Sequence, residues 1–121
     1  MPSYKEQFNL SIFDYSPVGY CVLELVLDNK GQPVDWIYRY CNQAFADIKD
    51  HSLEEILDHS FQSLFPEIDN KWLHVCYEAA YENRSSETDV RKEKKYHVVI
   101  APVGKTGFCS GMIYESEKAE N

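Results

Sequence analysis

The sequence predicts an α+β fold, a five-stranded antiparallel sheet with its helices gathered on one face. Two observations carry this. Strand-like alternation fills two stretches early in the chain and three late, with helix-spaced apolar residues between them. The change from strand to helix falls within Tyr40 to Ile48, at Asn42. An Asn there can accept a hydrogen bond from a free N–H of the first helical turn, and Ala44, Phe45 and Ile48 continue at helical spacing.

Taken in order, Tyr4 to Tyr15 reads as a short amphipathic helix, because Phe8, Ile12 and Phe13 recur at i, i+4 and i+5. Ser16-Pro17-Val18-Gly19 ends it. Tyr20 to Asp28 is the first strand, apolar on both faces and so expected to be covered on both. Asp28 to Pro33 is a turn by composition. Val34 to Cys41 is the second strand, with Trp36, Tyr38 and Tyr40 expected on one face. Short helices follow. Ser52-Leu53-Glu54-Glu55 fits a capping box, and Phe61 to Phe65 is stopped by Pro66. Asp69 to Asn83 is the longest helix, with Asp69 as its N-cap and Trp72, Val75, Cys76, Ala79 and Ala80 as its apolar face. Glu87 to Arg91 reads as a polar edge strand. Tyr96 to Val103 and Phe108 to Glu115 complete the sheet, and Gly111 allows something close to the backbone.

Composition excludes several classes of function. The formal net charge of −8 leaves nothing to neutralise phosphates over a broad surface, which argues against nucleic acid. The basic run Arg91 to Lys95 contains Glu93 and reads as a solvated hairpin. No apolar run is long enough to insert in a membrane, and Met1 to Leu10 has no signal-peptide apolar region, so a cytoplasmic location is expected. Cys21, Cys41, Cys76 and Cys109 show no metal-ligand spacing and read as buried, reduced thiols. A Cys21–Cys41 disulfide is possible in geometry if the first two strands pair, and a reducing cytosol disfavours it. No Ser elbow, phosphate loop or paired-His motif points to catalysis. The sequence therefore gives no catalytic residue and no metal ligand.

Three segments resemble the PAS (sensory box) family. They are Phe13 to Tyr20 with its Ser-Pro-Val-Gly turn, Tyr40-Cys41-Asn42-Gln43-Ala44-Phe45, and Leu53 to Leu57 followed by Phe61-Gln62-Ser63-Leu64-Phe65-Pro66-Glu67. The resemblance spans about residues 13 to 115. One departure is Asp58, where family members often carry Gly. The longer loop Asp28 to Pro33 and the Pro-Val-Asp-Trp that follows are similar to a subgroup placed ahead of diguanylate cyclase or histidine kinase domains. The resemblance implies a PAS-like five-stranded antiparallel sheet with helices packed on one face and a pocket between them. It implies a sensor that binds a small ligand or dimerises, and that passes the change to a downstream effector through the end of the last strand. The domain itself is then not an enzyme. The expected division is an N-terminal helix over 1–15, the PAS domain over 16–116, and a tail or linker over 117–121. The chain stops soon after the last strand, which reads as a piece of a larger sensor or as a lone one.

The cofactor remains unknown at this level. Flavin is disfavoured, because Cys41-Asn42 reverses the order seen in flavin-adduct members and Cys76 stands between Val75 and Tyr77. Haem is disfavoured, because His74 falls on the polar side of the long helix with Glu78 one turn on. A small organic ligand would be lined by Leu23, Leu25, Phe45, Ile56, Phe65, Trp72, Cys76, Val99 and Ile113. The competing reading is that these residues fill an ordinary core. A homodimer is expected through Phe8 and Ile12 of the first helix and through Val22, Tyr38, Val98 and Met112 on the sheet face away from the helices. The alternative to a sensor is a stand-alone small-molecule-binding protein without an effector.

Overall fold

Asn42 ends a strand and begins a helix in the computed structural model, which describes residues 13–66, 70–91 and 93–116. Strands β1 (Gly19–Leu27), β2 (Pro33–Cys41), β3 (Ser86–Arg91), β4 (Lys95–Pro102) and β5 (Phe108–Glu115) form one antiparallel sheet in the order β2-β1-β5-β4-β3. Helices α1 (Gln43–Lys49), α2 (Leu53–Ile56), α3 (Phe61–Leu64) and α4 (Lys71–Glu82) fall between β2 and β3 in the chain and pack on one face. This is the predicted architecture. Phe8, Ile12 and Asp69 lie outside the described residues, and α4 begins after Asn70, which makes no side-chain cap.

Asn42 is almost fully buried and uses all of its side-chain hydrogen-bonding capacity. Its Oδ1 accepts from Tyr20 N at 2.9 Å and from Phe45 N at 3.0 Å. Its Nδ2 donates to Phe13 O at 2.7 Å and to Val18 O at 2.9 Å. One side chain thus caps α1, fixes the start of β1 and anchors the segment that precedes it. Gly19 is required beside this junction. A Cβ there would meet Phe45 Cα and Ile113 Cγ2, each at 2.9 Å.

The other helix starts follow the sequence chemistry. Ser52 Oγ accepts from Glu55 N at 3.1 Å, and Glu55 Oε1 accepts from Ser52 N at 2.9 Å, which is the reciprocal capping box. Asp58 adopts the left-handed conformation at φ 64°, so it does the backbone work of the Gly it replaces. The outer edge of β2 is closed by the segment between α2 and α3. Asp58 N donates to Tyr38 O at 2.7 Å, and Tyr38 N donates to His59 O at 3.0 Å.

Two expectations about faces are corrected. In β2, Val22 and Leu23 of β1 pair with Tyr40 and Tyr38, so Arg39 is an extra residue in a β-bulge. The bulge puts Trp36 and Tyr38 on the helix side and Tyr40 on the opposite side. Tyr40 joins Val22, Phe108, Tyr20 and Phe13 in a second apolar cluster there. Phe13 stacks on Tyr20 at 4.2 Å, and Tyr40 Oη donates to Asp14 Oδ1 at 2.8 Å. In β4, Ile100 and Val98 face the helices, so Val99 faces away from them. The longest helix also differs in detail. Its buried residues are Leu73, Cys76, Ala79 and Ala80, while Trp72 and Val75 are half-buried against the core.

The outer face of β3 and β4 carries a charged cluster. His97 Nδ1 meets Asp89 Oδ1 at 2.8 Å, and His97 Nε2 meets Glu87 Oε1 at 2.7 Å. Asp89 first and Glu87 second raise the His97 pKa above its ordinary value, and His97 lowers that of Asp89.

Two predictions follow from these contacts. Asn42→Ala should lower the unfolding free energy by about 3 kcal/mol, since it removes a helix cap and strips partners from buried backbone groups. Urea unfolding should show a lower midpoint with an unchanged slope. For His97, the folded state holds the proton more tightly than the unfolded chain. Its contribution to stability is therefore complete below pH about 6.5 and is lost as pH rises through the raised folded pKa. An NMR titration should place the His97 midpoint above that of free histidine, and Asp89→Asn should move it down.

Candidate functional site

A cavity of about 220 Å³ lies between the helix-covered face of the sheet and α1, α3 and α4. Its floor comes from the middle of the sheet. Leu23 and Cys21 of β1, Val98 and Ile100 of β4, and Gly111 and Ile113 of β5 line it there. Its rim is aromatic. Trp36 stacks on Phe61 at 3.9 Å, Tyr38 lies 6.3 Å edge-on from Phe65, and Trp72 projects from the first turn of α4. Gly111 has a steric reason to be glycine, because a Cβ there would meet Cys21 Sγ at 2.9 Å. What approaches that backbone is the Cys21 sulfur.

The predicted ligand-lining residues divide three ways. Leu23, Phe45, Phe65, Trp72, Cys76 and Ile113 line the cavity. Leu25 and Ile56 are buried core residues that do not line it. Val99 is on the opposite face of the sheet, because β4 runs with Val98 inward. The predicted dimer residues divide as well. Met112 is half-buried on a strand whose neighbours Gly111 and Ile113 face the helices, which puts its side chain on the outer face. Val22 is on that face but fully buried beneath its own cluster. Tyr38 and Val98, expected on the outer face, point to the helices instead, Tyr38 because of the Arg39 bulge and Val98 because of the phase of β4.

Sequence reasoning missed Trp36 and Lys49 as lining residues. Trp36 is 5% exposed, and its Nε1–H is buried without a hydrogen-bond partner. The indole lies beside the Tyr38 hydroxyl without reaching hydrogen-bond geometry. Burial pushes the Tyr38 hydroxyl well above its ordinary pKa, so it is a neutral O–H donor. Lys49 ends α1 one turn after Phe45. Its Nζ sits 5.8 Å from the Phe45 ring centroid and 5.5 Å from that of Phe65. It is the one charged residue among the described residues lining the cavity. The spacing from Phe45 to Lys49 was the available signal for it.

The cysteines are chemically quiet. All four are free and buried. Burial pushes Cys21 well up and Cys41 to about 12, while Cys76 is raised first by the adjoining Cys109 thiol and then by burial. Cys21, Cys41 and Cys76 are therefore neutral thiols rather than thiolate nucleophiles at neutral pH. His74 is exposed on the far side of α4, with Nε2 at 3.4 Å from Glu78 Oε2. Among the described residues no His, Cys, Asp and Glu cluster has metal-binding geometry, and no helix is long and apolar enough to cross a membrane. A second cavity of about 270 Å³ adjoins the first under the start of α4 and shares Trp72, Val98 and Ile100 with it.

No protein-family model matches the sequence, and no curated protein is significantly similar to it. Solved structures do match in shape. The PAS domain of nitrogen regulation protein NR(II) from Vibrio parahaemolyticus superposes with a TM-score of 0.61 at 16% identity, over 88% of this chain and 95% of that one. The PAS domain of BvgS from Bordetella pertussis gives 0.59 at 16% identity, over 97% and 90%. The photoactive yellow protein domain of the sensor histidine kinase Ppr from Rhodospirillum centenum gives 0.60 at 11% identity, over 95% and 100%. The strand order, the helices on one face and these superpositions together identify the fold of this chain as that of a PAS domain.

Proposed function

We propose that this chain is a sensory module that takes a small organic molecule into the cavity and passes the change to an attached effector domain. The observation that carries this is the cavity itself. It is walled by apolar side chains, and one of its lining residues, Trp36, carries a buried indole N–H that has no acceptor. A cavity of 150 Å³ is large enough for a benzene molecule, so about 220 Å³ is room for a ring and a short arm. Gly111 and Ile113 on its floor belong to β5, which continues to Glu115. A change in the cavity therefore bears directly on the last strand, the natural route to an effector. That effector is a histidine kinase or a diguanylate cyclase. Solved structures of similar fold include domains of sensor histidine kinases. The module is not an enzyme, and it works in the cytoplasm.

A homodimer would complete the reading. The outer face presents Met112 and Tyr114, both partly exposed, beside the His97 cluster. Phe8 and Ile12 would add apolar surface to that contact. Sedimentation should then show association that Met112→Glu weakens.

The ligand reading is tested with benzene as a probe of the cavity alone. At ten times its Kd a ligand stabilises by about 1.4 kcal/mol, which for a domain of this size raises Tm by roughly 6 °C. Val98→Trp, which fills the space, should abolish the rise. A Tm that benzene does not move, with unshifted amide signals at Ile100 and Ile113, would assign the residues to an ordinary core.

A further inference from the structure

Two of the four cysteines are placed to react with each other. Cys21 of β1 and Cys41 of β2 stand directly opposite in the strand register. Their neighbours fix the type of this pair. Asn42 N donates to Tyr20 O, which makes Tyr20 and Asn42 the hydrogen-bonded pair next along the ladder. On the other side of β1, Leu25 N donates to Gly107 O. Counting back from there in steps of two turns the Cys21 backbone groups toward Gly111 of β5. Cys21 and Cys41 are therefore a non-hydrogen-bonded pair, for which the Cα separation is about 4.5 Å. That lies within the range of roughly 4.4 to 6.8 Å that a disulfide spans. Both side chains belong to the helix-side core, and both thiols are free.

We infer that Cys21 and Cys41 are an oxidation site, at which hydrogen peroxide makes a reversible cross-strand disulfide. Cys21 lines the cavity, whose volume of about 220 Å³ admits a molecule of two oxygen atoms. The Cys21 sulfur takes one peroxide oxygen as a sulfenic acid, the O–O bond breaks, and the thiol proton leaves with the other oxygen as water. The Cys41 sulfur then displaces the hydroxyl group, and its proton leaves with that hydroxyl as a second water. The two sulfurs give up two electrons between them, and the peroxide accepts both. Burial keeps the two thiols neutral, so the reaction is slow and answers sustained oxidant rather than a brief pulse. A reducing cytosol holds the pair as thiols at rest. Closure draws the two β-carbons nearer than ordinary sheet spacing, and a bond strained in this way is readily reduced again.

The cross-link also acts on the last strand. Cys21 stands between Cys41 and Gly111, and its sulfur lies 2.9 Å from where a Cβ on Gly111 would be. Bonding to Cys41 turns that sulfur toward β2 and vacates the space over Gly111.

Cleavage after lysine and arginine puts the four cysteines in four separate peptides, so mass spectrometry reads the site directly. After peroxide treatment and alkylation, the Cys21 peptide should be joined to the Cys41 peptide, and dithiothreitol should release both. The Gly111 amide NMR signal should move on oxidation and return on reduction. Cys41→Ser should leave a sulfenic acid on Cys21 that dimedone traps, and a missing adduct would overturn the order of attack. Gly111→Ala crowds the reduced state alone. In a glutathione redox buffer it should favour the disulfide at least tenfold, a midpoint about 30 mV more negative. A link between Cys76 and the adjoining Cys109 in place of this one, or four unlinked peptides after prolonged exposure, would overturn the site. A linked pair with an unmoved Gly111 signal, or a Gly111→Ala midpoint that stays or turns more positive, would overturn the movement of the sulfur. Where Gly111→Ala does not fold, the Gly111 signal of the unaltered chain decides that point alone.

Discussion

Four hydrogen bonds to one buried amide hold this domain in register. The Asn42 side chain ties Phe13, Val18, Tyr20 and Phe45 to a single point. Two of its partners are strand or helix N–H groups at positions where regular structure supplies no acceptor. The Asn42 backbone N–H also donates to Tyr20 O at 3.0 Å, so Tyr20 and Asn42 exchange bonds as residues of a ladder do. The consequence reaches beyond the junction. With Tyr20 fixed, Cys21 lies opposite Cys41 on one side and Gly111 on the other. The Cys21 sulfur then occupies the space that a side chain at Gly111 would need. The floor of the cavity is thus set by the residue that starts α1.

Much of the architecture was legible in the sequence because local chemistry and global fold agree there. Asn42 as a cap, the Ser52–Glu55 box and the close approach at Gly111 each follow from residue type. The misread faces have a common physical cause. A bulge adds one residue without leaving a compositional mark, and β2 carries large aromatic residues at 36, 38 and 40 whichever way they point. In β4, Val98 and Val99 are the same residue type, so hydrophobicity cannot fix the phase, and a shift of one residue exchanges the two faces. Leu73 was passed over for a related reason. Trp72, Leu73 and Val75 all border one wide apolar face, and tertiary packing buries Leu73 with Cys76, Ala79 and Ala80 while leaving Trp72 and Val75 half-buried.

The candidate site was legible in part, and the division is informative. Large apolar residues at helix and strand spacing were found, because burial selects them. Lys49 and the orphaned N–H of Trp36 were not, since a terminal lysine on a short helix reads as solvated and an indole reads as core. Both acquire meaning only from their neighbours. Trp36 matters because Phe61 stacks on its face and leaves the N–H beside a hydroxyl that does not satisfy it. Lys49 matters because Phe45 and Phe65 hold its ammonium at the edge of an apolar space.

The cavity persists for reasons of size distribution. Small residues occupy the middle of the lining, with Cys21, Gly111 and Cys76 where longer side chains would reach across. Large rings stand around them. Phe61 stacked on Trp36, and Phe65 near Tyr38, hold α3 on the sheet at ring thickness, and Trp72 does the same at the start of α4. Collapse would require these rings to leave stacked and edge-on contacts, or the Cys21 sulfur to move into the Gly111 backbone. Cys21, Cys76 and the Gly111 backbone thus stand beside Leu23, Ile100 and Ile113 around a space bounded by rings.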